Sequence, residues 1–242
     1  WRFDGDAINQ RENDGERYAS GIRNANALAL DPYGALWAAV NGRDQLHDNW
    51  PDLYTPQDEL RLPSEEILRV KEGADYGWPY CYHDPELGHK VLAPEYGGDG
   101  TLVGRCRDVE EPQAVLPAHW APLGMLFHRG QQFPARYRGG MFIANHGSWA
   151  EPQATTPPGY DVVFVPAGAG KIRGAYEPFA EGFAGSARPL PDQAKYRPVG
   201  LAEAPEASGR PGFIASFQKS MRPRLSSVSL TKSASPTDTP PE

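Results

Sequence analysis

The chain is poor in cysteine, has no basic excess and contains no long apolar run, and each shortage closes off a class of protein. Two cysteines stand in 242 residues, neither has a CxxC partner, and a zinc site is set aside. The net charge of -7 provides no basic face for phosphate, so nucleic acid is not expected as a partner. No stretch approaches the ~18 apolar residues that a membrane span needs. Helical periodicity is missing too: the stretch from Leu60 to Glu72 is broken by Pro63, and Glu66 to Lys71 reads better as a strand. The first residue is Trp and no signal peptide is present, so the chain reads as processed or as a fragment.

Glycine and proline, in contrast, are plentiful. The 26 Gly and 25 Pro favour short strands joined by many turns, and the length allows one large β domain or two small ones. One grammar recurs three times. Ala27 to Leu30 meets the turn Asp31-Pro-Tyr-Gly34 and then Leu36 to Val40, a strand, tight turn and strand, because Pro presets φ and Gly accepts the positive φ that closes the turn. Pro122 to Phe127 is followed by Gly140 to Ala144, and Pro198 to Ala202 by Gly212 to Ser216. The copies are spaced too irregularly for a solenoid and suit propeller blades with long insertions.

The polar ends of these units carry the candidate chemistry. Arg23 and Asn24 sit just before the first strand, and Asn41, Gly42, Arg43 and Asp44 just after its partner; in an antiparallel hairpin those places are neighbours. Arg23 presents a planar fork for a carboxylate or developing oxyanion, and the Asn41 to Asp44 turn exposes oxygens of the kind Ca²⁺ prefers. The plain alternative is a surface ion pair beside an ordinary turn. A second cationic pair lies in Lys195-Tyr-Arg197. Cys81 and Cys106 fit one disulfide, worth about 3 kcal/mol in the chain-entropy account, which would place the protein in the periplasm or outside the cell. Two unrelated buried thiols are the other reading.

The ordered set Gly21-Ile-Arg-Asn24, Leu28 to Trp37, Asn41-Gly-Arg-Asp44, Asp75 to Tyr80, Ala121 to Gly124, His146-Gly-Ser-Trp149, Pro158 to Val163 and Tyr196 to Gly200 resembles the glucose/sorbosone dehydrogenase family of soluble quinoproteins. The resemblance covers about residues 15 to 217. It implies an all-β, six-bladed β-propeller of which this chain holds only the later blades, over residues 1–218; the Ser/Thr/Pro-rich composition of 219–242, a departure from the family, reads as a disordered tail. The resemblance also implies pyrroloquinoline quinone (PQQ) and Ca²⁺ as cofactors, a sugar substrate and an external electron acceptor.

Carried over to this sequence, Arg23 matches the arginine over the quinone and Asn24 the adjoining cofactor amide. Gly42 and Arg43 match the turn whose carbonyls hold Ca²⁺, with Asn41 beside them, and Lys195 and Arg197 match the cations that grip the quinone carboxylates. His146 is the choice for a further cofactor contact. The family's general base is implied upstream of residue 1. Departures are Ala25-Asn26-Ala27 after Asn24, and Ala150-Glu151 after Trp149. Among the other histidines, His119 is a weak cleft candidate, His47 reads first as a solvent-exposed loop histidine and second as lining the cleft, His128 reads as structural, and His83 and His89 as polar surface. Trp37, Trp78 and Trp149 read as packing. Besides sugar oxidation, two functions stay open: a non-catalytic propeller scaffold, and a Ca²⁺-dependent lactonase, for which Asp44, Asp48 and Asp52 do not supply converging carboxylates.

Overall fold

The computed structural model describes residues 1–131, 133–148, 159–186, 189–203 and 213–219. Trp149, the Ala150-Glu151 departure and the tail beyond residue 219 lie outside the described residues.

In chain order the elements are β1 (Asn24–Leu30), β2 (Leu36–Asn41), the short helices α1 (Leu46–Asn49) and α2 (Pro56–Arg61), β3 (Glu65–Val70), β4 (Cys81–Asp84), β5 (His89–Leu92), β6 (Ala114–Leu116), β7 (Pro122–Phe127), β8 (Met141–Asn145), β9 (Val162–Val165), β10 (Ala167–Gly168), β11 (Lys171–Ile172), β12 (Glu177–Ala180), β13 (Tyr196–Glu203) and β14 (Phe213–Lys219). Two antiparallel sheets repeat one plan: β1-β2-β3-β6, then β7-β8-β9-β12. β13 pairs with β14, so Lys219 closes a strand instead of opening the expected tail. The two helices went unforeseen because each is too short to show a period. α2 nonetheless has a legible start, with Pro56 at its first turn and Thr55 and Asp58 capping each other.

The first hairpin forms as its turn residues dictate. Leu30 pairs with Leu36, and the buried Asp31 carboxylate accepts from the amides of Tyr33 and Ala35 and from the Trp37 indole. Strand alternation then splits each sheet into two apolar faces. Trp37, Ala39 and Ile67 of the first sheet pack on Met125, Phe127, Met141, Ile143 and Val163 of the second. The opposite face of the second sheet, Phe142, Ala144 and Phe164, takes Leu201 of β13. Truncating Phe142, which is fully buried, would cost about 3–5 kcal/mol.

The sheets stand radially. β7 lies between β1 and β13, and Gly124 lets β13 come close: a Cβ there would sit 2.5 Å from the Val199 carbonyl oxygen. The beginnings of all three inner strands share one rim, because Glu65 joins the Gly42 and Ala121 amides and Arg197 reaches the His146 carbonyl. Their ends share the other rim, where Arg129 donates to the Leu30 carbonyl and His128 contacts Glu203. Three inner strands running the same way at the edges of radial sheets make this chain part of a β-propeller. On the far face of the first sheet Leu28 and Leu30 remain 57% and 53% exposed beside a groove of about 920 Å³.

Beyond the blades, β4 and β5 form a hairpin tied by the Cys81–Cys106 disulfide, as one of the two sequence readings had it. The expectation that His83 is polar surface is wrong. It sits on β4, buried, with its Nδ1 2.8 Å from the Ser64 hydroxyl, and burial pushes its pKa down to about 4. His89 is only partly buried and its ring meets the Leu87 carbonyl. His128 is structural, as read: it is fully buried against Glu203. Trp37 is core, also as read.

Candidate functional site

Two corners of the shared rim have the same design. At the first, Asn24 pairs with Asn41, and Nη1 of Arg23 donates to the main-chain carbonyls of Asn41, at 3.2 Å, and of Gly42. At the second, Pro122 pairs with Asn145, and Nη1 of Arg197 donates to the carbonyls of His146 and Gly147 at 3.4 and 3.3 Å. Each guanidinium also stacks on an aromatic ring, Arg23 on Trp78 and Arg197 on Tyr160. Gly21 makes the approach to Arg23 possible: its φ is 72° and a Cβ there would run into Asp75 and the Gly77 amide.

The corners differ in exposure and charge. The Arg23 side chain is 29% exposed and has the Asp44 carboxylate 3.7 Å from Nη2. Arg197 is 9% exposed and directs Nη2 to a third carbonyl, Pro191, at 2.7 Å. Lys195 beside it is exposed. His146 is half-buried with Nε2 2.9 Å from Gln218 Oε1; burial, then the Arg197 charge, lowers its pKa. Asn24 is exposed and accepts from the Asn26 amide. Arg43 turns its buried side chain away to grip Glu95 with two hydrogen bonds of 2.7 and 2.6 Å, which leaves only its main chain for the role expected of it. His47, the other cleft candidate, binds the Tyr54 carbonyl with its ring.

Three groups at this rim escaped the sequence reading or were underrated by it. Glu65 opens β3, buried, with one oxygen 2.6 Å from the Gly42 amide and the other 3.0 Å from the Ala121 amide; burial nevertheless pushes its pKa up to about 7. Glu66 faces the other way and pairs at 2.8 Å with Lys90, whose buried ammonium also donates to the Tyr76 carbonyl, two residues before Trp78. Two adjacent glutamates opening an apolar strand were the available signal. His119 places Nδ1 3.1 Å from Asp44 and Nε2 2.6 Å from the Glu59 carbonyl. Burial works against its proton, but these two acceptors outweigh it and the pKa is raised.

A family model described as TrAA12-like matches residues 3–208. The chain belongs to the TrAA12-like family. Among solved structures it is similar to the Trichoderma reesei Carbohydrate-Active Enzymes Family AA12 protein, at 22% identity and TM-score 0.60 over 84% of this chain and 54% of that one. It is also similar to the PQQ domain of Coprinopsis cinerea pyranose dehydrogenase, at 22% identity and TM-score 0.56 over 82% of this chain and 52% of that one. An uncharacterized protein of Borreliella burgdorferi is 31% identical over 159 residues, 64% of this chain and 36% of that protein. The chain thus spans about half the length of these structures, and the likeness to them confirms the fold.

The rim suits the cofactors that the sequence resemblance implies. Among the described residues no three His, Cys, Asp or Glu side chains group as a metal site, so a hard cation here would rest on the main-chain oxygens of the Asn41 to Arg43 turn. Two of those oxygens already converge on a cation, the Arg23 guanidinium, and the Oδ1 of Asn41 is buried with no hydrogen-bond partner. Oxygen donors of this type fit Ca²⁺. Arg23, Lys195 and Arg197 bring three cationic side chains to the same rim, the charge type a tricarboxylate requires.

Proposed function

We propose that this rim is the cofactor-binding end of a PQQ- and Ca²⁺-dependent sugar dehydrogenase, an oxidoreductase acting on an aldose or a related sugar aldehyde and handing electrons to an external acceptor. The observation that carries the reading is the first corner: a partly exposed arginine stacked on Trp78 over a turn of convergent carbonyls, with an orphaned amide oxygen beside it. The similar Coprinopsis domain is a PQQ domain in holo form, and a calcium structure of the Trichoderma relative exists.

In this reading the carbonyls of Gly42 and Arg43 hold Ca²⁺, and Asn24, Asn41 and His146 orient the quinone. Lys195 meets its carboxylates from the exposed side, and Arg197 does so while buttressing the rim. Arg23 would supply the cation that offsets negative charge on a bound quinone. Bound there, the quinone supplies a two-electron acceptor and Ca²⁺ a Lewis acid. The Cys81–Cys106 disulfide goes with an oxidising compartment, so we place the protein in the periplasm or outside the cell. A non-catalytic scaffold is the second reading, favoured by the commitment of both arginines to main-chain oxygens.

Visible-absorbance titration of the chain with PQQ, with and without Ca²⁺ and with an aldose added last, tests the proposal. Saturable Ca²⁺-dependent binding is expected, and bleaching by sugar would show that this chain also carries a general base. Absence of binding would give the scaffold reading the lead.

A further inference from the structure

The connection from β6 to β7 turns through two residues in the left-handed region that are not glycine, His119 at φ 63° and Ala121 at φ 51°. Side chains rarely adopt that conformation, and it persists where the surroundings over-determine it. Here they do so from both sheets. The His119 ring is fixed by Asp44 and by the Glu59 carbonyl, and the Ala121 amide donates to Glu65. On the other side, the carbonyls of Trp120 and Ala121 accept from the amides of Gly147 and His146 at 2.9 and 3.0 Å.

Asp44 is the link that matters. One of its oxygens faces the His119 ring, whose side chain is 6% exposed, and the other lies 3.7 Å from Arg23 Nη2. A carboxylate on a turn would ordinarily rotate freely; this one is pinned by a buried ring that a strained backbone presents to it. We infer that His119 is a positioning residue for Arg23, acting through Asp44, so that the connection between the two sheets sets the direction of the guanidinium at the first corner. The inference rests on the proposed function for its consequence in ligand binding and on geometry alone for the rest.

Phenylglyoxal, which modifies accessible arginines, tests it on the whole chain when modification is followed peptide by peptide at Arg23 and Arg197. Asp44→Asn should speed modification of Arg23 about tenfold, the factor that corresponds to about 1.4 kcal/mol, and leave Arg197 unchanged. His119→Gln should act to a similar extent, and the double variant should be no faster than Asp44→Asn alone, because one interaction removed twice counts once. A loss of packing would instead speed both arginines together, and that result overturns the inference. So does an unchanged Arg23 rate in Asp44→Asn, whose partly exposed side chain can be replaced without unfolding the chain, or additivity in the double variant. A PQQ titration of the same proteins keeps the two claims apart: a wild-type chain that fails to bind removes the proposed function and leaves the labelling result standing.

Discussion

The two rim corners use one device for opposite ends. Both cap a pair of main-chain carbonyls with an arginine stacked on an aromatic ring, and both end a second strand on an asparagine, Asn41 or Asn145, whose buried Oδ1 has no hydrogen-bond partner. At the second corner the arginine comes from the next sheet, is buried and reaches three carbonyls, so it stitches blade to blade. At the first it comes from the same sheet, stays partly exposed and has a carboxylate neighbour. A cation that is open to solvent can meet a ligand without giving up its carbonyls, whereas one shared among three carbonyls meets a ligand with most of its donors already engaged. Both arginines are proposed to bind cofactor, and the first is the more exposed of the two.

The sharpest way to break this comparison is through the carboxyl at the second corner. Asp161 accepts from the Asn145 amide at 2.8 Å, yet burial pushes its pKa up to about 7. A carboxyl raised in the folded state binds its proton more tightly there than in the unfolded chain, so its contribution to stability falls as pH rises from about 4 to about 7. By linkage this is of order 4 kcal/mol. Asp161→Asn should therefore gain stability over wild type at pH 8 and lose the advantage near pH 4 in denaturant unfolding. A pH-independent difference would show that the second corner is wetter than described.

Removing the stitch comes next. Arg197→Met should cost about 3 kcal/mol in the same assay, because carbonyls left buried without a donor are expensive. Arg23→Met should cost only about 1 kcal/mol, since its carbonyls lie at a more exposed corner. Equal losses would erase the distinction between the corners. The smallest effect belongs to Lys195→Ala, which should move stability by no more than about 0.5 kcal/mol while weakening PQQ binding. Loss of stability without loss of binding would make that lysine structural.

How legible this was in the sequence depends on how local each signal is. The first hairpin could be read because Asp31-Pro-Tyr-Gly34 determines its own turn, and Arg23, Asn41 and Gly42 could be placed together because antiparallel pairing joins the ends of neighbouring strands. The repeated apolar strands suggested blades, and both faces of β8 and β9 proved to be buried between sheets. Glu65 and His119 depend on partners far away in sequence: Gly42 and Ala121 lie 23 and 56 residues from Glu65, and Asp44 lies 75 from His119. No local pattern encodes such pairings. His83 was misjudged because a loop rich in Gly and Pro suggests surface, whereas the β4–β5 hairpin folds it inward against Ser64.

The central claim is that the first corner engages the cofactor, and calorimetric titration of wild type and Arg23→Ala with PQQ, each with and without Ca²⁺, tests it most directly. The account predicts Ca²⁺-dependent binding by wild type and an affinity at least about tenfold weaker for the variant, a difference of about 1.4 kcal/mol. Equal affinities, or binding indifferent to Ca²⁺, would contradict it.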